Sequence, residues 1–543
     1  MKLRSDTQPF TRLCGFVGAT VLGNPSAYAA ALAVTLSVGV SLFCSRQVHH
    51  DAAWLLIATG RLLDGARLYV DDVIETNPPL ILYLYTPAVL LGRSLGVSLP
   101  GVLNATVLAL TLGSITVCNR ALAAVLGAGR DRLRFALLVV LTVLGCVTVG
   151  EDFGQRDHIL WLLLVPYLLL VAARMQGVKL GPKLARIAGV GGGIAVSLKP
   201  HYLLAMAVLE LALALRRGSW RTALRPEARA GIAVGMLYIA AILAFTPEYL
   251  ALARSFLVDS YWGLSVPLAW IVRPGELVLI AVCGAAAFAV RRRERVGDLA
   301  WTLLLATASF YGAMLIQHTG WVYHRIPFRC AAILLLALTA LELVPGFARA
   351  GIAPLGRGAR IAGATAAALA TAASLLLQPD ISAQLRWGAR WRAGETASPI
   401  DRLTAVIDRH ATGGSVLFLT LEMTPLPAMS YCHATWASRF SSLWPLAAVV
   451  RAQRGTPDVP TWFTDARGAA LERSVRDAVI ADLERYRPEL IFVDLQRRNR
   501  LYGPEPFDIL AFFRQDPRFE AVWSRYQPAP RSVGSFAYAV RQP

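Results

Sequence analysis

Long apolar runs alternate with short polar connectors over the first two thirds of the chain. The runs are continuous and lack the period-two alternation of a barrel strand, so they read as helices. Eleven approach the roughly 20 residues that a spanning helix needs. They fall near 28–45, 101–119, 135–150, 158–173, 184–198, 201–215, 230–246, 276–290, 299–316, 327–345 and 360–377. Two further helices are expected outside the bilayer. Leu80 to Leu95 is short and carries Pro87 in mid-run, and Ala52 to Leu63 sets Trp54, Leu55, Ile57, Ala58 and Leu62 near one face. Both are read as interfacial helices. After about Leu377 the pattern changes to that of a soluble α/β domain. Val416–Thr420 and Leu490–Asp494 read as buried strands, Gly468–Tyr486 as an amphipathic helix, and Phe519–Trp523 and Phe536–Val540 as late strands. The expected division is a membrane part over 1–377, with a first outer loop at 46–100, and an α/β domain over 378–543.

Charge then orients the elements. Alternate connectors carry the cations: Arg120 to Arg134, Arg174 to Arg186, Arg216 to Arg229, Arg291 to Arg295, and Arg349, Arg357 and Arg360. The others carry acids, histidines and tryptophans. Positive connectors face the cytoplasm, so the N-terminus is expected inside and the C-terminal domain outside, in the periplasm of a bacterial inner membrane. Counting Leu80–Leu95 as a span would invert every later loop. Lys2, Arg4 and Arg12 with Ala27-Tyr28-Ala29 have the look of a cleaved leader, but the loop charges favour an uncleaved first helix.

Composition agrees with a polytopic α-helical membrane protein. The 543 residues are 55% hydrophobic and only 16% charged, with mean hydropathy +0.50. The net charge of +19 sits in short arginine connectors and does not point to nucleic acid. Seven cysteines are scattered without a CxxC pair, which implies no disulfide framework.

The candidate chemistry falls on the outer connectors. The first holds His49, His50, Asp51, Asp64, Asp71, Asp72 and Glu75; the second runs from Glu151 and Asp152 to His158. The third is Lys199-Pro200-His201-Tyr202, and the fifth contains His318, Trp321, Tyr323, His324 and Arg325. These residue types suit transfer from a lipid-phosphate sugar. A cation meets the leaving phosphate, a carboxylate takes the acceptor proton, and aromatic faces stack on sugar rings. Lys199 lies where one apolar run nearly abuts the next, and an ionisable residue at that depth is a functional candidate. His324 and Arg325 form a second candidate phosphate clamp. Each group also has a plainer reading: Asp71 and Asp72 as turn residues, Glu151 and Asp152 as helix caps, and the tryptophans and tyrosines as an aromatic belt. Asn77-Pro78-Pro79 suits the start of the Leu80 helix. His49-His50 alone is no metal motif, because helical neighbours point about 100° apart.

Asp51 just after the first helix, the stretch Leu63-Asp64-Gly65-Ala66-Arg67-Leu68-Tyr69-Val70-Asp71 leading to Asn77-Pro78-Pro79-Leu80, the acidic Glu151-Asp152, and a soluble domain after the last helix together resemble the GT-C superfamily of membrane glycosyltransferases. Within it the chain looks like the dolichyl-phosphate-mannose protein mannosyltransferase-like and lipid A aminoarabinose transferase-like bacterial enzymes. The resemblance implies an inverting transferase moving a sugar from a polyprenyl-phosphate donor to a glycan, lipid or protein acceptor. It makes Asp51 the base or acceptor-orienting carboxylate, with Glu151 or Asp152 as the second acid. Lys199, Arg325 and His324 would hold the donor phosphate, and His50, Tyr69, Asn77, His201, Trp321 and Tyr323 would line the substrate. Some relatives bind a divalent ion, Mg or Mn, between loop acids and others do not; Asp51, Glu151 and Asp152 are its candidates here. Asn77 stands where relatives often carry Lys or His. The C-terminal domain is expected to roof the cavity. The rival readings are a lipid-linked glycan flippase, a non-catalytic membrane subunit, and a ligase using a diphosphate-linked glycan.

Overall fold

The computed structural model describes residues 48–343, 398–503 and 505–542. The expected spans at 28–45 and 360–377 and the cations Arg349, Arg357 and Arg360 lie outside the described residues. Helices α1 (His50–Leu63) and α2 (Leu80–Leu95) are followed by α3 (Leu99–Leu126), α4 (Asp131–Cys146), α5 (Arg156–Met175) and α6 (Pro182–Leu198). Next come α7 (Leu203–Arg217), α8 (Pro226–Phe245), α9 (Pro274–Val290), α10 (Glu294–Ile316) and α11 (Ile326–Leu343). The C-terminal region holds α12 (Pro399–His410), β1 (Ser415–Leu419), β2 (Thr435–Trp436), α13 (Leu446–Gln453), α14 (Asp465–Tyr486) and β3 (Leu490–Asp494). It ends with α15 (Ile509–Arg514), α16 (Pro517–Trp523), β4 (Tyr526–Pro528) and β5 (Phe536–Arg541). The chain forms two compact units. One contains 104–237 and 267–388 together with 1–46; the other joins 47–103, 238–266 and 389–543.

In the first unit, α5 is enclosed on all sides and packs against α6, α7, α10 and α11. Five helices among the described residues, α3, α5, α8, α10 and the stretch Val322–Leu343, are long and apolar enough to cross a membrane. Four other expected spans, α4, α6, α7 and α9, run 15–17 residues and fall short of the roughly 20 needed for a straight crossing. Helices α6 and α8 meet through glycine: a Cβ on Gly193 would sit 2.7 Å from the Gly231 carbonyl oxygen. This is the small-residue contact that lets helices approach where no hydrophobic driving force separates helix from lipid. One end of the bundle is tied by arginine–carboxylate pairs, Arg130–Glu342 at 2.5 Å, Arg174–Glu227 at 2.8 Å and Arg225–Glu210 at 2.5 Å. The two acids inside apolar helices, Glu210 and Glu342, are therefore both matched.

In the second unit the sheet order is β2-β1-β3-β5-β4. β1 runs parallel to β2 and β3, while β5 is antiparallel to β3 and β4. Phe418 lies in register with Phe492, their rings 4.4 Å apart, and Trp436 and Phe536 close around them on the same face. The other face sets Leu417, Leu419, Ile491 and Val493 in a core with Leu471, Val475, Val479 and Leu483 of α14. Each such side chain contributes roughly 1.5–3 kcal/mol on burial.

One expectation is corrected. Phe519–Trp523 is helical, because Asp516 caps the Arg518 N–H and Pro517 occupies the first turn; the strand comes later, at Tyr526–Pro528. Helix α1 covers the expected Ala52–Leu63 and is buried from Asp51 to Leu56 and from Ala58 to Gly60. It packs within its own unit against α2 and the short helix Leu426–Met429. Helix α2 has the expected bounds and stops at Gly96, whose φ of +64° is the left-handed C-cap that favours glycine.

Candidate active site

In the first unit the chemistry gathers at the bundle end opposite the arginine–carboxylate pairs. Lys199 is the residue at which α6 gives way to the turn Pro200–Tyr202, with extended backbone. Its buried ammonium lies 2.6 Å from Asp157 Oδ2, 3.3 Å from Gln317 Oε1 and 5.1 Å from the Tyr323 ring centre. The Asp157 carboxylate is fully buried in the first turn of α5, and Gln155 caps that turn by accepting the Asp157 N–H at 2.6 Å. The Tyr202 hydroxyl is 2.9 Å from Asp157 Oδ1 and 3.2 Å from the His324 carbonyl oxygen. A carboxylate, an ammonium, a phenol and an aromatic face thus meet at one buried point. Cations at a helix C-terminus are favoured by the helix dipole, and acids at an N-terminus likewise; Lys199 and Asp157 each sit at the favourable end.

The other expected residues of this unit have distinct surroundings. His324 is buried with Nδ1 3.3 Å from Thr319 Oγ1, its ring edge-on to Tyr323 at 4.7 Å. Arg325 is fully buried, and its guanidinium donates to Glu276 Oε1 at 2.5 Å and to the carbonyls of Gly320, Trp321 and Ile271. Those bonds fix the Gly320–Trp321 turn. Glu151 is exposed on the turn Gly150–Asp152, whereas Asp152 is buried and lines a small cavity with Thr148, Val322 and Arg329. His201 is exposed, and Trp321 and Tyr323 are half-buried. His158, next to Asp157, is fully buried: its Nδ1 accepts the Gly154 N–H at 3.1 Å and its Nε2 lies 2.9 Å from the Gly145 oxygen. That pair of bonds selects the Nε2–H tautomer of a neutral structural histidine.

In the second unit the first outer loop is a hydrogen-bonded structure. Trp54 Nε1 donates to Glu75 Oε2 at 2.6 Å, Asn77 Nδ2 donates to Glu75 Oε1 at 2.7 Å, and the Tyr69 hydroxyl donates to the Asn77 carbonyl at 2.8 Å. Tyr69 adopts φ +66° and stacks edge-on with Tyr249 at 5.1 Å. Burial, and after it the Glu75 carboxylate, push the Tyr69 phenol well up, so it acts as a donor. Asp51 is buried one turn before Trp54, with Oδ1 3.7 Å from His50 Nε2. Asp71 and Asp72, expected as turn residues, also face Arg439 and Arg485 of the α/β region.

His49 and His50 do not diverge as helical neighbours would. His49 is the extended cap of α1, its Nδ1 accepts the Asp51 N–H at 3.2 Å, and its ring lies 3.9 Å from that of His50. Ligand atoms of His49, His50 and Asp51 all fall within 4.8 Å of one another, the one such group of three among the described residues. Two imidazoles and a carboxylate suit a borderline ion such as zinc better than magnesium, which prefers oxygen.

Asp157 and Glu75 lie in connectors that the sequence marks as candidate chemistry, but the sequence alone assigns neither a role. The available signal for Asp157 was its place at the very start of an otherwise apolar helix. For Glu75 it was the tryptophan at position 54, whose N–H needs a partner when buried.

No family model matches the chain, and no curated protein matches it. Among solved structures, the crystal structure of ArnT from Cupriavidus metallidurans, bound to undecaprenyl phosphate, matches with a TM-score of 0.54. The match covers 94% of this chain and 97% of that one at 12% identity. The chain shares the fold of ArnT. This is a likeness of fold, and it agrees with the order of elements from which the family resemblance was read. The expected class, apolar helices followed by a mixed α/β domain, is the one observed.

Proposed function

We propose that this protein is an inverting membrane glycosyltransferase that moves a sugar from a polyprenyl-phosphate donor to an acceptor hydroxyl on the periplasmic side of the inner membrane. The observation that carries this reading is the fold shared with ArnT over nearly the whole chain, in a protein crystallised with undecaprenyl phosphate. The buried Lys199–Asp157–Tyr202 cluster supports it, because an ammonium held near neighbouring helix ends suits a lipid phosphate.

In this reading Asp51 accepts the proton of the acceptor hydroxyl. The acceptor oxygen bonds to the anomeric carbon as the bond from that carbon to the phosphate oxygen breaks, inverting the centre. The electron pair leaves with the phosphate, and Lys199 balances the charge. Asp157 and Tyr202 hold Lys199 in position, while Arg325, engaged by Glu276 and three carbonyls, holds the loop bearing Tyr323 and His324. Asp152 or Glu151 orients the acceptor. A divalent ion, if bound at His49, His50 and Asp51, would supply charge stabilisation there. The acceptor class, whether glycan, lipid or protein, is to be read from the products.

The test supplies purified protein with undecaprenyl-phosphate sugars and an envelope extract, and follows free undecaprenyl phosphate and labelled acceptor by mass spectrometry. Wild type should release the lipid phosphate and label an acceptor. Retention of every donor uncleaved would overturn the transferase reading.

A further inference from the structure

A second polar site lies at the far end of the same bundle. Its cavity, of about 470 Å³, is bounded by Gln176, Arg216, Arg217, Glu294, Arg295 and Asp298. Helices α5, α7 and α10 each contribute one end to it, and their opposite ends lead to Asp157, Tyr202 and Gln317. Helix α5 has 20 residues, roughly 30 Å at 1.5 Å per residue. The cavity therefore opens at the face of the bundle away from Lys199 and is separate from the site proposed for the donor.

Its charges are unevenly matched. Arg216 lies 3.6 Å from Asp298. Among the described residues, neither Arg217 nor Arg295 has a carboxylate within ion-pair distance; Arg295 makes one long bond, 3.5 Å, to the Ala124 carbonyl. Gln176 donates to the Arg295 carbonyl at 2.9 Å and fixes the backbone that carries that guanidinium. Along the chain around Arg216 and Arg217, Leu215, Trp220 and Leu224 are 69%, 70% and 66% exposed, interleaved with Arg216, Arg217 and Arg221. Exposed tryptophan and leucine alternating with arginine is the composition of a segment at headgroup level.

We propose that this cavity binds the phosphate of an anionic phospholipid from the leaflet at that face, with Arg217 and Arg295 as its two guanidinium arms. The planar fork of arginine matches phosphate oxygens in pairs, and basic pockets between membrane helices take lipid headgroups in this way. A soluble phosphate ester offers the same chemistry. The exposed Leu215, Trp220 and Leu224, which follow or precede Arg216 and Arg217 in the chain, favour the lipid, because they offer acyl chains an apolar surface that a soluble ester does not need.

The experiment uses full-length protein in a neutral detergent and reads Tm against added phosphatidylglycerol, phosphatidylcholine or inorganic phosphate. Wild type should show a saturable rise with phosphatidylglycerol and not with phosphatidylcholine. R217A/R295A should shift the midpoint at least about tenfold, while R186A/R229A, which removes two exposed charges at the same end of the bundle, should leave it in place. R217K/R295K keeps the charge and should recover part of the response, which separates loss of the site from loss of folding. A saturable rise with inorganic phosphate that R217A/R295A abolishes keeps the phosphate site and assigns it to a soluble ester. Equal weakening by both double alanine variants, or an equal response to phosphatidylcholine, overturns the proposal.

Discussion

Lys199 Nζ and Asp157 Oδ2 lie 2.6 Å apart, both buried, at the start of one helix and the end of another. A pair so placed loses hydration on both ions, and only good geometry with further hydrogen bonds offsets that loss. Tyr202 bonds the second carboxylate oxygen and Gln317 the ammonium, which offsets part of that loss. Apolar residues of similar volume would be as stable or more so. In the proposed mechanism the pair is kept for its work on a ligand rather than for stability.

The pair therefore separates stability from activity. Asp157→Asn or Lys199→Met alone leaves one buried charge without its counter-ion and should cost on the order of 3–5 kcal/mol, read as a lower Tm in detergent. The double variant D157N/K199M should regain most of that Tm and none of the transferase activity. Recovery of both would assign the pair to structure alone.

Asp51 carries a different expectation. It is buried beside His50, and the proposed mechanism gives it the acceptor proton. Asp51→Asn keeps the shape and removes the base, so kcat should fall about 10²–10⁴-fold with little change in Tm. His50→Gln should have a smaller effect. Full activity in the Asn variant would move the base elsewhere.

Much of the architecture was legible because period and punctuation agreed. Leu80–Leu95 has a clear apolar run ended by a glycine, and Leu490–Asp494 is a short β-branched and aromatic run between turns. Phe519–Trp523 defeats the periodicity argument because five residues with an aromatic at each end suit either state, and the Asp516-Pro517 start signal outweighs them. The candidate site was legible in part. Lys199 stood out because a cation between two apolar runs has few plain explanations. Asp157 did not, because in sequence it is one acid in a polar connector, and only the return of α6 and the Pro200–Tyr202 turn brings Lys199 and Tyr202 to it. Regular helix or strand geometry parts the side chains of His49 and His50, but His49 lies at the cap, just outside the helix, where neither applies.

Arg61 ties the first loop to the sheet of its own unit. Its guanidinium donates to the carbonyls of Asp72, Ser438 and Trp436 at 3.1, 2.6 and 2.7 Å. Lysine cannot reach three acceptors in that fan. Arg61→Lys should cost roughly 1.5–3 kcal/mol, as for hydrogen bonds from a charged donor. Hydrogen exchange should speed up at 64–77 before it does so in β1 or β3. Unchanged protection there would show that the loop is held by other contacts.

Asp72 gives this unit an acid sensitivity of known sign. Burial alone would raise its carboxyl, but the Arg67 N–H at 2.7 Å and the Arg485 guanidinium outweigh burial and hold it below the ordinary carboxylate range. A folded pKa below the unfolded value of about 3.9 adds stability that is fully present above that value. It is lost as pH falls through the folded pKa. Asp482 and Asp494, both raised by burial, act in the opposite sense: their contribution is present at low pH and lost as pH rises through their folded pKa. The wild-type profile mixes these effects, and the difference between wild type and Asp72→Asn isolates one. That difference in stability, read from the shift in Tm, should be constant from pH 8 down to about 5, on the order of 1 kcal/mol for a pair with one exposed partner, and should shrink toward zero below the ordinary carboxylate range. A difference that persists unchanged at pH 3 would mean that the Asp72 charge contributes nothing and that the asparagine acts through shape.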